Sequence, residues 1–568
     1  MNLNIKAKEQ NTYDAIVVGS GVSGGWAAKE LTEKGLKVLM LERGKPLEHV
    51  TGYETAMKHP WEFAHRGRIT EKQKETHPYL KRDYPYNETN ASYWINDLDY
   101  PYTEVKDKRF DWFRGDIVGG KSIMWGRQSY RLGDTDFEAN LKDGIAVDWP
   151  VRYKDLAPWY DYVEKFAGIS GQKEGLEQLP DGQFLPPMEF NCIEKEVKKG
   201  IESNFKGRKL TIGRVANLTQ PIHGRGSCQY RNLCSRGCPY GAYFSTQAST
   251  LPAAMKTGNL TVRPHSAVNS VIYDEQKGKA TGVKVIDTQS GEMMEFYSKI
   301  IFLNASTLGT TFVLLNSTSN RFPNGLGNSS EQLGHNLMDH HFRIGAAGEY
   351  DGFQDQYYDG RRANGIYIPR YRNLGGEKRD YIRGFGYQGS GSRENWQRGV
   401  AEMGFGADFK DSLSLPGKWR MGMTGFGECL PYYENKVTLN KEVKDKWGQP
   451  TLSIECEFKE NEKKMRVDMM NDAAEMLEAA GLKNVQTYDN GSYPGMAIHE
   501  LGTARMGRDP KTSVLNAFNQ MHDVKNVFVT DGAAMTSAAC QNPSLTYMAL
   551  TARAADYAVK ELKRMNIS

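Results

Sequence analysis

Residues Tyr13 to Gly44 read YDAIVVGSGVSGGWAAKELTEKGLKVLMLERG. The apolar run Ala15 to Val18 enters a turn in which Gly19, Gly21 and Gly24 follow G-x-G-x-x-G, and a helical stretch begins at once. In such a strand–turn–helix unit the first glycine permits the tight turn. The second lets backbone approach a pyrophosphate, and the third lets helix pack on strand. A second strand, Lys37 to Leu41, ends at Glu42, placed to accept hydrogen bonds from a ribose diol and to disfavour a 2′-phosphate. Strand, turn, helix, strand and acid in this order predict a dinucleotide site at the start of an α/β fold.

The chain has 568 residues, beyond the usual limit for one core, so two domains are expected. Lys and Arg total 73 against 69 Asp and Glu, a balance that gives no basic footprint for nucleic acid and no acidic tail. The first twelve residues, MNLNIKAKEQNT, carry no apolar export core, and no run of 18 apolar residues occurs. No membrane span and, from this chain alone, a cytoplasmic location are expected. From about Gly52 to Asp107 the chain is polar, aromatic-rich and without clear periodicity, which reads as an excursion over the surface.

Further along, FDWFRGDIVGGKSIMWGRQSYRL, Phe110 to Leu132, pairs Gly119 and Gly120 beside Ser122, a loop whose amides can approach a ligand closely. Residues Asp148 to Phe166 are helical in pattern, and Leu260 to Val285 alternates like strands. SKIIFLNASTLGTTFVLL, Ser298 to Leu315, reads as a buried strand, a small-residue turn and a helix. Tyr350 to Lys459 suits a sheet that walls a substrate cavity. In the last seventy residues, AIHELGTARMG holds His499 ahead of a turn. Asn542 reads as the N-cap of a long amphipathic helix with Pro543 at its first position, and the free amides there would stabilise negative charge.

Seven cysteines are present, and Cys228, Cys234 and Cys238 crowd into one short run, HGRGSCQYRNLCSRGCPYGAYF. Their spacing is C-x5-C-x3-C, and the last is followed by Pro239, as in ferredoxin-type runs. Zinc with His223 as fourth ligand, a disulfide and free thiols remain open alternatives.

The entry motif, VGGKSIMWG, GLGNSSEQLGHNLMDHH (Gly325 to His341), HELGTARMG and TDGAAMTSAACQNPSLTYMAL occur in the order found in the glucose-methanol-choline (GMC) family of FAD-dependent oxidoreductases, which the chain resembles over nearly its whole length. Within it the chain looks most similar to the large subunits of bacterial gluconate, glucose and glucoside 3-dehydrogenases. The resemblance implies an FAD-binding Rossmann-like domain with a substrate domain on a mainly antiparallel sheet. On that reading 1–50, 108–150, 222–345 and 495–568 bind FAD, 51–107 is a surface excursion, and 151–221 with 346–494 binds substrate.

It further implies His499 and Asn542 as the catalytic pair, one taking the hydroxyl proton and the other orienting the alcohol. FAD is expected at Gly19, Gly21, Gly24, Glu42, Gly119, Gly120, Ser122, Asp531 and Pro543. Met124 stands where a cousin carries a covalent flavin histidine, so FAD is expected to be non-covalent. Cys228, Cys234 and Cys238 are expected to hold a [3Fe-4S] cluster passing electrons to a cytochrome or quinone. A small partner subunit bearing an export signal would make the periplasm accessible. His340 and His341 are expected to support the flavin region structurally rather than bind metal. The implied reaction is oxidation of a sugar or glycoside hydroxyl; an O₂-using oxidase and a redox-neutral lyase are the alternatives.

Overall fold

The computed structural model describes residues 11–358, 362–394 and 404–567. Residues 1–10 of the segment read above for an export signal, 359–361 and 395–403 within 346–494, and Ser568 lie outside the described residues. Among the described residues no helix is long and apolar enough to cross a membrane.

Two large sheets organise the α/β molecule. The first is seven-stranded, in the order Leu260–Arg263, Val38–Leu41, Thr12–Val18, Met293–Leu303, Lys279–Asp287, Ser266–Asp274, with Val527–Val529 also pairing with Met293–Leu303. Its first four strands and Val527–Val529 are parallel, whereas Lys279–Asp287 pairs antiparallel on both sides. The central strands are continuous apolar runs because both faces are covered. Ala15, Val17, Met40 and Phe302 pack under Ala27, Ala28 and Leu31 of helix Val22–Glu33 and Ala554, Ala555 and Ala558 of helix Ser544–Lys563. Ile16, Val18, Leu39 and Leu303 bury into the opposite core.

The second sheet is six-stranded and antiparallel throughout: Lys483–Asp489, His341–Tyr350, Trp419–Gly427, Phe385–Arg393, Ile366–Ile368, Thr211–Ile212. Strand His341–Tyr350, which begins within 222–345 and runs past it, belongs wholly to this sheet. Trp419–Gly427 alternates strictly: Met421 and Met423 bury against helices Glu460–Ala479 and Cys192–Asn204, while Thr424 and Phe426 take the opposite face. That opposite face looks toward the carboxyl ends of the first sheet's strands, where open α/β sheets bind ligands.

The stretch 51–107 forms short helices and turns, but most of its aromatics turn inward. Tyr53, Tyr86, Tyr93, Trp94 and Tyr102 are buried, and Tyr102 Oη donates to the Phe110 carbonyl at 2.7 Å. Aromatic anchors replace periodic packing there, which is why the stretch reads as surface in sequence.

Candidate active site

A cavity of about 630 Å³ runs from the first glycine turn to His499, within the range of cofactor and small-molecule sites. Gly19, Gly21, Glu42, Gly120, Ser122 and Asp531 line it, whereas Gly24, Gly119 and Pro543, also expected at the cofactor, do not. A Cβ on Gly24 would sit 2.0 Å from the Gly19 carbonyl oxygen, and one on Gly19 would sit 2.3 Å from that of Asn304. Gly21 differs: it is the N-cap of helix Val22–Glu33, no side chain caps the helix, and a Cβ there would meet nothing within 4 Å. The helix's first amides therefore open on the cavity.

Glu42 is buried, and its Oε2 accepts the Ser20 N–H at 3.0 Å and hydroxyl at 2.5 Å while Oε1 accepts the Gly44 N–H at 2.8 Å. Burial pushes its carboxyl up, against the pull of these donors. Ser20 Oγ also accepts the Gly119 N–H at 2.7 Å, so this one serine, not among the expected site residues, ties the two glycine loops together. Gly119 takes φ 90°, and a Cβ there would collide with Gln247. Ser122 Oγ accepts the Thr246 N–H at 3.1 Å. Asp531 caps the short helix Gly532–Ala534 through the Ala533 N–H at 3.0 Å and accepts the Thr310 hydroxyl at 2.6 Å; burial pushes its carboxyl up to about 7. Asn304 Nδ2, buried in the cavity wall, has no partner among the described residues. An open helix end, a glycine cradle and an orphaned amide donor fit the pyrophosphate and ring of FAD.

At the far end, His499 and Asn542 meet, with Asn542 Nδ2 3.3 Å from His499 Nε2. Asn542 Oδ1 accepts Gln388 Nε2–H at 2.6 Å. Gln388 stands on the second sheet, on the face it shares with Phe426, and carries no sequence signal. The expectation that Asn542 caps the last helix is corrected: the helix is Ser544–Lys563, its N-cap position falls on Pro543, and no side chain caps it. Asn542's amide is spent across the cavity instead.

Asp339 accepts the backbone N–H of Ala497 and of His499, each at 3.1 Å. Burial, with Glu500 nearby, pushes the Asp339 carboxyl up to about 8. His340 Nδ1 lies 2.7 Å from His499 Nδ1, and its Nε2 lies 2.7 Å from the Ala539 carbonyl oxygen. His340, expected to support the flavin region structurally, thus also touches His499 directly. His341 is buried against Gly427 and Phe458, in keeping with a packing role. Burial holds both site imidazoles down, His340 to about 4 and His499 well below its ordinary value, the latter helped by His340 and Lys121.

Cys228, Cys234 and Cys238 are free and line a side cavity of about 230 Å³ with Arg127 and Arg362. Cys234 also lines the main cavity. Among the described residues, no three His, Cys, Asp or Glu are gathered so as to hold one metal ion. The thiols as placed therefore do not form a metal site. His223 stacks on Phe166 and does not line this cavity, which removes it as a fourth ligand. Burial pushes the Cys228 thiol up.

Residues 13–342 and 431–551 match two family models, each described as GMC oxidoreductase. The chain is 29% identical to 2-methyl-1,2-propanediol dehydrogenase of Mycolicibacterium austroafricanum, across 96% of this chain and 94% of that one. It is 25% identical to the fructose dehydrogenase large subunit of Gluconobacter japonicus, across 98% of this chain and all of the other. The solved structure of pyridoxine 4-oxidase from Mesorbium loti shares the fold with a TM-score of 0.59 at 16% identity, across 96% of this chain and 98% of that one.

Proposed function

The chain belongs to the GMC oxidoreductase family, FAD-dependent enzymes acting on CH–OH groups of alcohols and sugars, and from that premise we propose that it oxidises a hydroxyl of a sugar or other polyol at His499 and Asn542. The observation that carries this reading is that one cavity joins the dinucleotide cradle to a base and an amide on facing elements.

FAD, when bound, supplies the hydride acceptor. Hydride loss from a neutral alcohol would leave a costly protonated carbonyl, so the hydroxyl proton needs a base. His499 Nε2 is that base, kept neutral by burial. Asn542 cannot titrate; a hydroxyl entering between the two side chains accepts from Asn542 Nδ2 and donates to His499 Nε2, replacing their long 3.3 Å contact. Gln388 holds the Asn542 amide in the orientation this needs. Arg127, Gln128, Asn364 and Gln388 beside Trp125 and Phe426 give the wall both hydrogen-bonding groups and aromatic faces, which suits a polyhydroxylated ring. The names of the two relatives, a diol dehydrogenase and a sugar dehydrogenase subunit, support the same class.

The electron outlet is read from the cysteine segment and from the partner that the word subunit implies for one relative. The side cavity meets the main one at Cys234; the reading of an iron-sulfur centre there rests on the three closely spaced cysteines alone, since the thiols as placed do not gather around one metal, and no step of the oxidation depends on it. A [3Fe-4S] cluster with a cytochrome acceptor predicts stoichiometric iron and sulfide and little peroxide. Iron-free protein that makes peroxide would favour the oxidase.

The test of the site is anaerobic mixing of FAD-loaded protein with sugars and vicinal diols. Wild type should bleach its flavin. His499→Ala should retain FAD but reduce it on the order of 10²- to 10⁴-fold more slowly. An unchanged rate in that variant sinks the assignment.

A further inference from the structure

We propose that His340 is a positioning residue that fixes the tautomer of His499, placing its proton on Nδ1 and its lone pair on Nε2. The proposal rests on His499 being the base and explains which of its nitrogens can act.

One chain of hydrogen bonds, from the Ala539 carbonyl through His340 to His499, fixes where each proton sits. The Ala539 carbonyl can only accept, so His340 Nε2, 2.7 Å away, must carry the proton. A neutral imidazole has one N–H, and burial keeps His340 neutral, so its Nδ1 carries only a lone pair. That lone pair faces His499 Nδ1 at 2.7 Å, and two lone pairs at this distance would repel. His499 Nδ1 must therefore be the donor. As a neutral ring His499 then presents an unprotonated Nε2, the nitrogen that faces Asn542 in the cavity. Asn542 must turn its NH₂ toward that lone pair, which leaves Oδ1 to accept from Gln388. One backbone carbonyl thus sets the polarity of four side chains. The opposite tautomer would set lone pairs face to face at His340 and an N–H against the Asn542 amide hydrogens.

A second, independent observation concerns backbone strain at both ends of this chain. Ile498 has φ 62° and Ala539 has φ 55°, the left-handed region that costs a non-glycine residue, and a β-branched one most. Such strain persists only where the surroundings over-determine the conformation. Here Ile498 sets the direction of His499, whose N–H is held by Asp339, and Ala539 aims the carbonyl at His340. Residues Asp339 and His340, adjacent in sequence, hold the backbone and the ring of His499.

Three variants and one spectrum test this. In FAD-loaded wild type without substrate, ¹⁵N shifts of the labelled imidazoles should show His499 as the Nδ1–H tautomer and His340 as the Nε2–H tautomer, identified by their loss in His499→Ala and His340→Asn. His340→Phe keeps a ring but cannot accept; it should give mixed His499 tautomers and reduce flavin on the order of 10- to 100-fold more slowly. His340→Asn, whose Oδ1 can stand near the position of Nδ1, should restore the Nδ1–H tautomer and most of the rate. An Nε2–H tautomer for His499 in wild type overturns the proposal, as does His340→Phe with a single Nδ1–H tautomer and the wild-type rate. If His340→Phe does not fold, the wild-type spectrum and His340→Asn still decide. The spectrum is read without turnover, so a failure of His499 as base, seen as an unchanged rate in His499→Ala, stays distinguishable.

Discussion

The three glycines of the entry motif look equivalent in sequence and are not. A Cβ at Gly19 or Gly24 would strike backbone, with Gly19 also at φ 91°, whereas a Cβ at Gly21 would point into empty cavity. Gly19→Ala is therefore expected to cost at least ~2 kcal/mol of fold stability, read by denaturant unfolding. Gly21→Ala should leave the FAD-free fold near wild-type stability and weaken FAD binding, read by flavin titration. Equal stability losses would mean that Gly21 serves packing rather than the cofactor. The buried His340 carries a second consequence. Its folded pKa, about 4, lies below the unfolded value of about 6.5, so the unfolded chain binds the extra proton between those values. The penalty is absent above pH 6.5 and grows as pH falls toward 4, by up to about 1.4 kcal/mol per pH unit. Asp339, raised to about 8, acts in the opposite sense, so the measurement is a difference. His340→Asn should lose less stability than wild type over that acid interval, by about one proton's worth of slope.

Among the elements, strand Trp419–Gly427 links packing to the site. Met421 and Met423 seat it on helix Glu460–Ala479, and its other face presents Phe426 beside Gln388. Met469 of that helix fills the space over Gly425, where a Cβ would lie 2.3 Å from its methyl carbon, and its carbonyl accepts Tyr387 Oη–H at 2.8 Å. Met469→Ala should destabilise the protein by ~2–5 kcal/mol through the cavity left behind, measured by urea unfolding. A loss under half a kcal/mol would show that the strand is held by its ladder alone. Strands Thr12–Val18, Val38–Leu41 and the end of Met293–Leu303 were legible because continuous apolar runs and a glycine turn are local signals, whereas Val527–Val529, three residues long, was not read as a strand. The aromatic anchors of 51–107 were not, since Tyr53, Trp94 and Tyr102 pack without any helical or strand period.

At the level of the whole molecule, the cavity exists because two sheets from interleaved stretches of chain face each other across it. The sequence by itself determined the glycine turn proposed to cradle the nucleotide, because Gly19, Gly21, Gly24 and Glu42 sit within one strand–turn–helix–strand unit whose geometry is set over some thirty residues. Its motif order also pointed to the family and to His499 and Asn542 as the pair to examine. Only the tertiary structure decided how that pair is arranged. Gln388 reaches Asn542 across a separation of 154 residues and His340 reaches His499 across 159, and no local periodicity encodes such contacts. The same holds for the cysteines: their spacing suggested a metal, but the fold distributes them around a side cavity. Spacing along a chain fixes which groups are near in a turn or helix, while the direction of a lone pair or the gathering of three thiols is set by what packs behind them.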